Sequence, residues 1–196
     1  KVIQKFIEIS VTAQPFIMGV VISVVMGILL TMPTSSAAIW IAIASGSTSD
    51  AMMLAGGAAV VGCAAQMVGF AVMSFKENGV GGLISQGIGT SMLQIPNIMK
   101  HPLIFVPPII ASAIVGPIAT CVFKLRCTAG GGGMGTSGLV GVFGAVEASK
   151  GVVSDANIAL AIVFLMFVIP AVVSLLLRIL FEKKGWIKGE WMKLDV

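Results

Sequence analysis

Four long, nearly uninterrupted apolar runs decide what this chain can fold into. They cover Gln14 to Met32, Ala51 to Phe75, Leu103 to Phe123 and Val152 to Leu180. About 20 apolar residues in a helix cross the ~30 Å hydrocarbon core of a bilayer. Helix is the form such runs must take there, because lipid offers no partner to a free backbone N–H or C=O. Composition agrees: 57% of the 196 residues are hydrophobic and 10% are charged, against about 25% charged in a soluble domain. The expected fold is all-α and polytopic, with about four spanning helices. Small residues within the runs suit close helix packing, and Pro107, Pro108, Pro117 and Pro170 are expected to kink the last two.

The segments between these runs, at about 34–49, 79–101 and 128–150, are too apolar for ordinary loops and too interrupted to span. The first holds about ten apolar residues between Thr34-Ser35-Ser36 and Gly46-Ser47-Thr48-Ser49, the length of a half helix. The other two read GVGGLISQGIGTSMLQIPNIMKH and TAGGGGMGTSGLVGVFGAVEASK. Both are expected to be re-entrant hairpins, because broken backbone survives at membrane depth only when buried in protein or lining an aqueous cavity.

The two hairpins share a string. Gly87-Ile88-Gly89-Thr90-Ser91-Met92-Leu93 and Gly133-Met134-Gly135-Thr136-Ser137-Gly138-Leu139 agree at five of seven positions, 46 residues apart. Repeats of opposite topology, interrupted at corresponding positions, are a common way to build a solute site near the membrane midplane. Glycine lets the backbone adopt positive φ and approach a ligand closely. Thr and Ser hydroxyls both donate and accept without charge. If a half helix starts at each string, its free N–H groups add donors. The run Gly130–Gly133 is not a phosphate loop, since no Gly-Lys-Ser/Thr follows it.

Several function classes fall away. The chain has one histidine and three cysteines without CxxC spacing, so no metal or cofactor is expected; Cys63, Cys121 and Cys127 read as small apolar fillers. No nucleophile-and-base pair points to an enzyme. The net charge of +4 gathers after the last run, at Lys183, Lys184, Lys188 and Lys193, as a cytoplasmic flank does, and not as a nucleic-acid surface. Counting back from a cytoplasmic C-terminus puts Lys1, Lys5 and Lys76 on the same side, and Lys124 and Arg126 opposite, against the rule.

The stretch HPLIFVPPIIASAIVGPIATCVFKL followed by GGGGMGTSGLVGVFG, within His101 to Gly144, together with QPFIMGVVISVVMGILLTMPTSSAAI from Gln14 to Ile39, resembles the membrane-embedded IIC subunits of the bacterial phosphotransferase system. The resemblance is strongest to the type-2 IIC family with its perfringolysin-regulator-like members. It implies sugar or polyol transport in the bacterial inner membrane, a homodimer, soluble IIA and IIB partners, and hairpins that move against a scaffold. Members of such families place a histidine and a glutamate near the sugar, and His101 and Glu147 are the residues of those types within the hairpins. The chain begins at Lys1 and is short for a whole IIC subunit. A single membrane domain over residues 1–196 is expected, either the C-terminal part of a longer protein or a short form.

The substrate-binding candidates are Gly89, Thr90, Ser91, Gln94, Asn97 and His101 in the first hairpin, and Gly133, Gly135, Thr136, Ser137 and Glu147 in the second. Each has a plainer reading. Glu147 could pair with Lys150 at i,i+3; His101 could start a helix; Gln86, Gln94 and Asn97 could join helices. Asp50 reads as the N-cap of the second run, Asp155 and Asn157 as helix starters, and Arg178, Lys183 and Lys184 as interface anchors. A solute sensor without transport and a small-solute channel remain alternatives to a permease.

Overall fold

The computed structural model describes residues 1–194, and among them the regular structure is helical, with one isolated bridge between Lys150 and Val153 and no strand. The helices are α1 (Val2–Ala13), α2 (Pro15–Thr31), α3 (Ser36–Ala44), α4 (Asp50–Met73), α5 (Phe75–Ile84), α6 (Ile95–Lys100), α7 (Pro102–Phe123), α8 (Val140–Ser149) and α9 (Asp155–Lys183). The chain is an all-α polytopic membrane protein. Among the described residues three helices, α4, α7 and α9, are long and apolar enough to cross a bilayer. The first expected span is shorter: α2 holds 17 residues, about 25 Å at 1.5 Å per residue, because Pro15 opens it and the Met32–Pro33 step closes it.

α4 is the axis of the molecule. Its sequence, rich in Gly, Ala and Val, has no polar face, and nineteen of its 24 residues are buried, as expected of a helix surrounded by others. Glycines let the neighbours approach. A Cβ on Gly62 would strike the backbone of Ser23, and one on Gly116 the carbonyl of Gly19. Between these contacts, Ser23 Oγ donates to Ser112 O at 2.8 Å and Gln66 Nε2 to Ser112 Oγ at 3.3 Å. Polar side chains of this kind join helices where lipid tails supply no hydrophobic drive.

The register fixes direction. Ser23 faces Gly62 while Gly27 faces Gln66, so α2 and α4 run parallel and the nine-residue α3 carries the chain back between them. Glu8 of α1 accepts hydrogen bonds from Ser47 and Ser49, which with Lys5 hold its carboxyl below the usual carboxylate range. Lys1 and Lys5 therefore lie at the Asp50 end of α4, opposite the C-terminus. The expectation that both termini share a side fails because it assumed every consecutive span reverses direction.

Prolines act differently from simple kinks. Pro107 and Pro108 sit in the first turn of an α-helical stretch that follows a 3₁₀ turn. Pro117 is followed by a π-helical stretch, Ile118–Phe123, and Pro170 is preceded by another, Ile162–Val168. The wider π turn before Pro170 gives room for its ring, which would otherwise strike the carbonyl four residues back.

Two end residues also depart from expectation. Ser49, not Asp50, caps α4, accepting from Met52 N–H at 3.2 Å. The Asp50 carboxylate instead receives Arg126 through Nε at 2.5 Å and Nη2 at 2.9 Å. Arg178 is no interface anchor: it is 4% exposed and gives Nη1 and Nη2 to Glu77 at 3.0 and 2.6 Å, and Nε to Glu182 at 3.0 Å.

Candidate functional site

The first hairpin leaves the C-terminal end of α4. α5 breaks at Gly79 (φ 59°, ψ −156°) and passes into a π-helical turn, Ser85–Gly89. Thr90 is extended, and its hydroxyl accepts from Met92 N–H at 3.1 Å, capping the turn Ser91–Gln94 that leads into α6. The arms are closed by amides. Gln86 Nε2 donates to Ser74 Oγ at 2.8 Å, Gln94 Nε2 to Gln86 Oε1 at 2.9 Å, and Asn97 Nδ2 to Gln94 Oε1 at 2.9 Å. At the base, Asn78, Gln94 and Asn97 donate to the carbonyls of Met192 and Lys193, and Leu194 N–H donates to Asn78 Oδ1. His101 stacks on Trp191, ring centroids 3.9 Å apart.

The second hairpin is built on the opposite end of α4. Its base is held by the Arg126–Asp50 pair, by Arg126 N–H on Ser149 Oγ at 3.0 Å, and by Cys127 N–H on Met53 O at 3.0 Å. The incoming arm is irregular and rich in glycine. Thr128 N–H reaches Gly144 O at 3.3 Å, so this arm lies against α8. Gly135 (φ 56°) rests on the α4 backbone, where an added Cβ would come within 2.7 Å of Ala64 N and 2.8 Å of Cys63 C. Gly138 and Leu139 turn the chain with φ of 52° and 60°.

The tips meet. Thr136 Oγ1 donates to Gly87 O at 2.6 Å and Ser137 Oγ to Gly89 O at 2.9 Å. The hydroxyls of the second shared string thus grip the carbonyls of the first, beside Met67 in the C-terminal third of α4. α3 joins them, with Ser36 Oγ donating to Gly133 O at 2.7 Å and Trp40 packed on Gly132. Next to this junction lies an open cleft of about 390 Å³, lined by Gly89 and Thr90, by Gly133 and Ser137, and by residues 33–37 at the start of α3. Among the described residues no charged side chain lines it.

The candidates fall into four places. Gly89, Thr90, Gly133 and Ser137 line the cleft. Thr136 and Gly135 are buried behind it, and buried Ser91 bonds Thr31 Oγ1 at 2.8 Å. Gln94, Asn97 and His101 belong to the base of the first hairpin. Glu147 stands eight residues beyond Leu139 on α8, about 12 Å of helix rise away. It lines a separate 460 Å³ cavity with Ser47, Met52, Cys127 and Thr128, and among the described residues it makes no ion pair with Lys150. Sequence reasoning passed over Thr34, Ser35 and Ser36, which it treated as brackets of a short run. The available signal was their hydroxyl cluster at a third interruption. Among the described residues no group of His, Cys, Asp and Glu could hold a metal ion, and the three cysteines are free, Cys63 and Cys127 buried and Cys121 exposed.

Gln94 is 0% exposed with its amide hydrogens placed on Gln86 and Met192. Gln94→Leu is expected to leave Gln86 Oε1 unpaired and Met192 O with Asn78 as its remaining donor, at a cost of about 2 kcal/mol. Thermal unfolding in detergent should show the loss, and a variant as stable as the parent would exclude this role.

A family model described as "Phosphotransferase system, EIIC" matches residues 1–194. The chain belongs to the phosphotransferase system EIIC family. Searches of curated proteins and of solved structures gave no match. An EIIC chain is the membrane permease component of a sugar-transport system, while phosphoryl transfer belongs to other components of that system. In this EIIC chain the two shared strings therefore meet inside a sugar-transport component of the membrane.

Proposed function

We propose that the 390 Å³ cleft binds an uncharged, polyhydroxylated solute, a sugar or polyol, and that the chain carries it across the membrane by alternating access. The observation that carries this is the set of hydroxyls in the lining and the capacity each has left. Thr90 Oγ1 and Ser35 Oγ accept from backbone N–H groups, so their own protons are free to donate. Ser137, Ser36 and Thr34 spend their protons on carbonyls, so their lone pairs are free to accept. Donors and acceptors together, without a charge, suit a solute whose every hydroxyl does both. Among the described residues of the lining, an anion would find no cation and a cation no carboxylate.

The two hairpins, dipping into the membrane from opposite ends of α4, are the moving parts on this reading, and α2, α4 and α7 the frame. Membership of the family supports soluble IIA and IIB partners and a homodimer. The C-terminal end holds Lys76, Lys100, Arg178, Lys183, Lys184, Lys188 and Lys193, seven of the 12 basic residues, which supports a cytoplasmic C-terminus.

Thr90→Val and Ser35→Ala should each weaken binding of the recognised sugar about five- to tenfold, the worth of one neutral hydrogen bond. The measurement is equilibrium binding of a panel of neutral sugars, polyols and small anions to the purified protein. Equal affinity for anions, or no change in either variant, would rule out this site. Binding without uptake in liposomes would make the protein a sensor.

A further inference from the structure

A second site lies on the outer face of the molecule, away from the sugar cleft. Two hollows of about 430 and 450 Å³ run between the first hairpin and α9, and they share Val72 and Leu83 as walls. They form one groove. Its upper part is lined by apolar groups alone, among them Val68, Ala71, Ile84, Gly87, Phe167 and Ala171. Its lower part passes Phe75, Leu175 and Ile179 and ends at Lys76, Arg178 and Glu182. From Val168 at the top to Ile179 at the bottom is eleven residues of α9, roughly 16 Å at 1.5 Å per residue. That is about the depth of one leaflet of a ~30 Å hydrocarbon core.

The ends differ in charge as the ends of a phospholipid do. Arg178 is paired with two carboxylates, Glu77 and Glu182, which leaves that cluster at −1, so a net positive mouth needs exposed Lys76 together with a second lysine. Exposed Lys183 is that lysine, one turn beyond Ile179 on the same helix face. We infer that this groove binds an anionic phospholipid, one acyl chain lying between the first hairpin and α9 and the headgroup held by Lys76 and Lys183. The chain's far end then rests on Gly87, whose carbonyl receives Thr136 from the other hairpin, so the lipid backs the tip junction itself.

Native mass spectrometry of the detergent-purified protein, equilibrated with palmitoyl-oleoyl phosphatidylglycerol or with the phosphatidylcholine of the same chains, tests this. The phosphatidylglycerol adduct should predominate. Lys76→Gln should reduce that preference about fivefold, the effect of one lysine beside an anionic lipid, and Ala171→Trp, which fills the groove, should remove the adduct. Lys76→Gln lies on the surface and keeps the test decisive if the tryptophan variant fails to fold. Equal retention of both lipids, or a preference untouched by Lys76→Gln, would overturn the inference. So would loss of a dimer in place of lipid on Ala171→Trp, which would make the groove a contact between copies.

Discussion

Gly135→Ala is expected to destabilise the protein by about 3 kcal/mol. Two costs add. The residue sits at φ 56°, where an L side chain costs roughly 1–2 kcal/mol. The added Cβ would also press on Ala64 N and Cys63 C of α4, and backbone inside a packed helix cannot swing aside as a side chain can. Overpacking of this kind costs typically 1–3 kcal/mol. The matching glycine of the first copy gives the control. Gly89 has nothing within 4 Å of an added Cβ and keeps an ordinary backbone angle, so Gly89→Ala should leave the unfolding temperature nearly unchanged. It should instead push a methyl into the cleft and weaken sugar binding. Thermal unfolding and binding on the same two variants check both statements; equal stability of the pair would contradict the asymmetry.

The second large effect is expected at Arg178. The side chain is buried, and it neutralises Glu77, itself 14% exposed, at the base of the first hairpin. Arg178→Met should cost about 3–5 kcal/mol, since removing one member of a buried pair leaves the other uncompensated. Glu77→Gln in the same chain should recover a large part of that loss, because it removes the stranded charge. Unfolding midpoints of the single and double variants form a cycle, and a double variant no better than Arg178→Met would show that the arginine acts by packing alone. Gly189 closes over the cluster, and a Cβ there would meet Arg178 Nη2 at 2.5 Å. The C-terminal segment and the first hairpin should therefore loosen together.

Much of this architecture was legible in the residues. Helical spans follow from apolar length, because a lipid environment allows few alternatives to the helix. The interruptions were legible for the same reason: Gly79, Thr90 and the run from Gly130 to Gly133 spoil an otherwise apolar text at places where a loop would be polar. Direction was not legible. Nothing local in α2 or α4 says that they lie parallel; that follows from Ser23 meeting Gly62 across 39 residues of chain, with α3 too short to span between them.

The site divides the same way. The GxGTS pair marked the two tips, and the tips do meet. Glu147 was singled out because a carboxylate is costly in a membrane, yet its position is set by the length of α8, which carries it to the Asp50 end. Gln94 and Asn97 were singled out as polar residues in an apolar run, and the C-terminal segment supplies the carbonyls they face. A sequence shows which groups need partners but not which distant backbone will come to them.

By itself the sequence determined an all-α membrane protein of the EIIC family whose glycine- and hydroxyl-rich breaks carry the polar chemistry, because burial in lipid penalises any other arrangement of such residues. Only the tertiary structure decided that the two breaks face each other beside Met67 of α4. Only it decided that α3 joins them, and that among the described residues no charged side chain lines the cleft. Those facts depend on close glycine contacts between segments far apart in the chain, and such contacts leave no periodic trace along it.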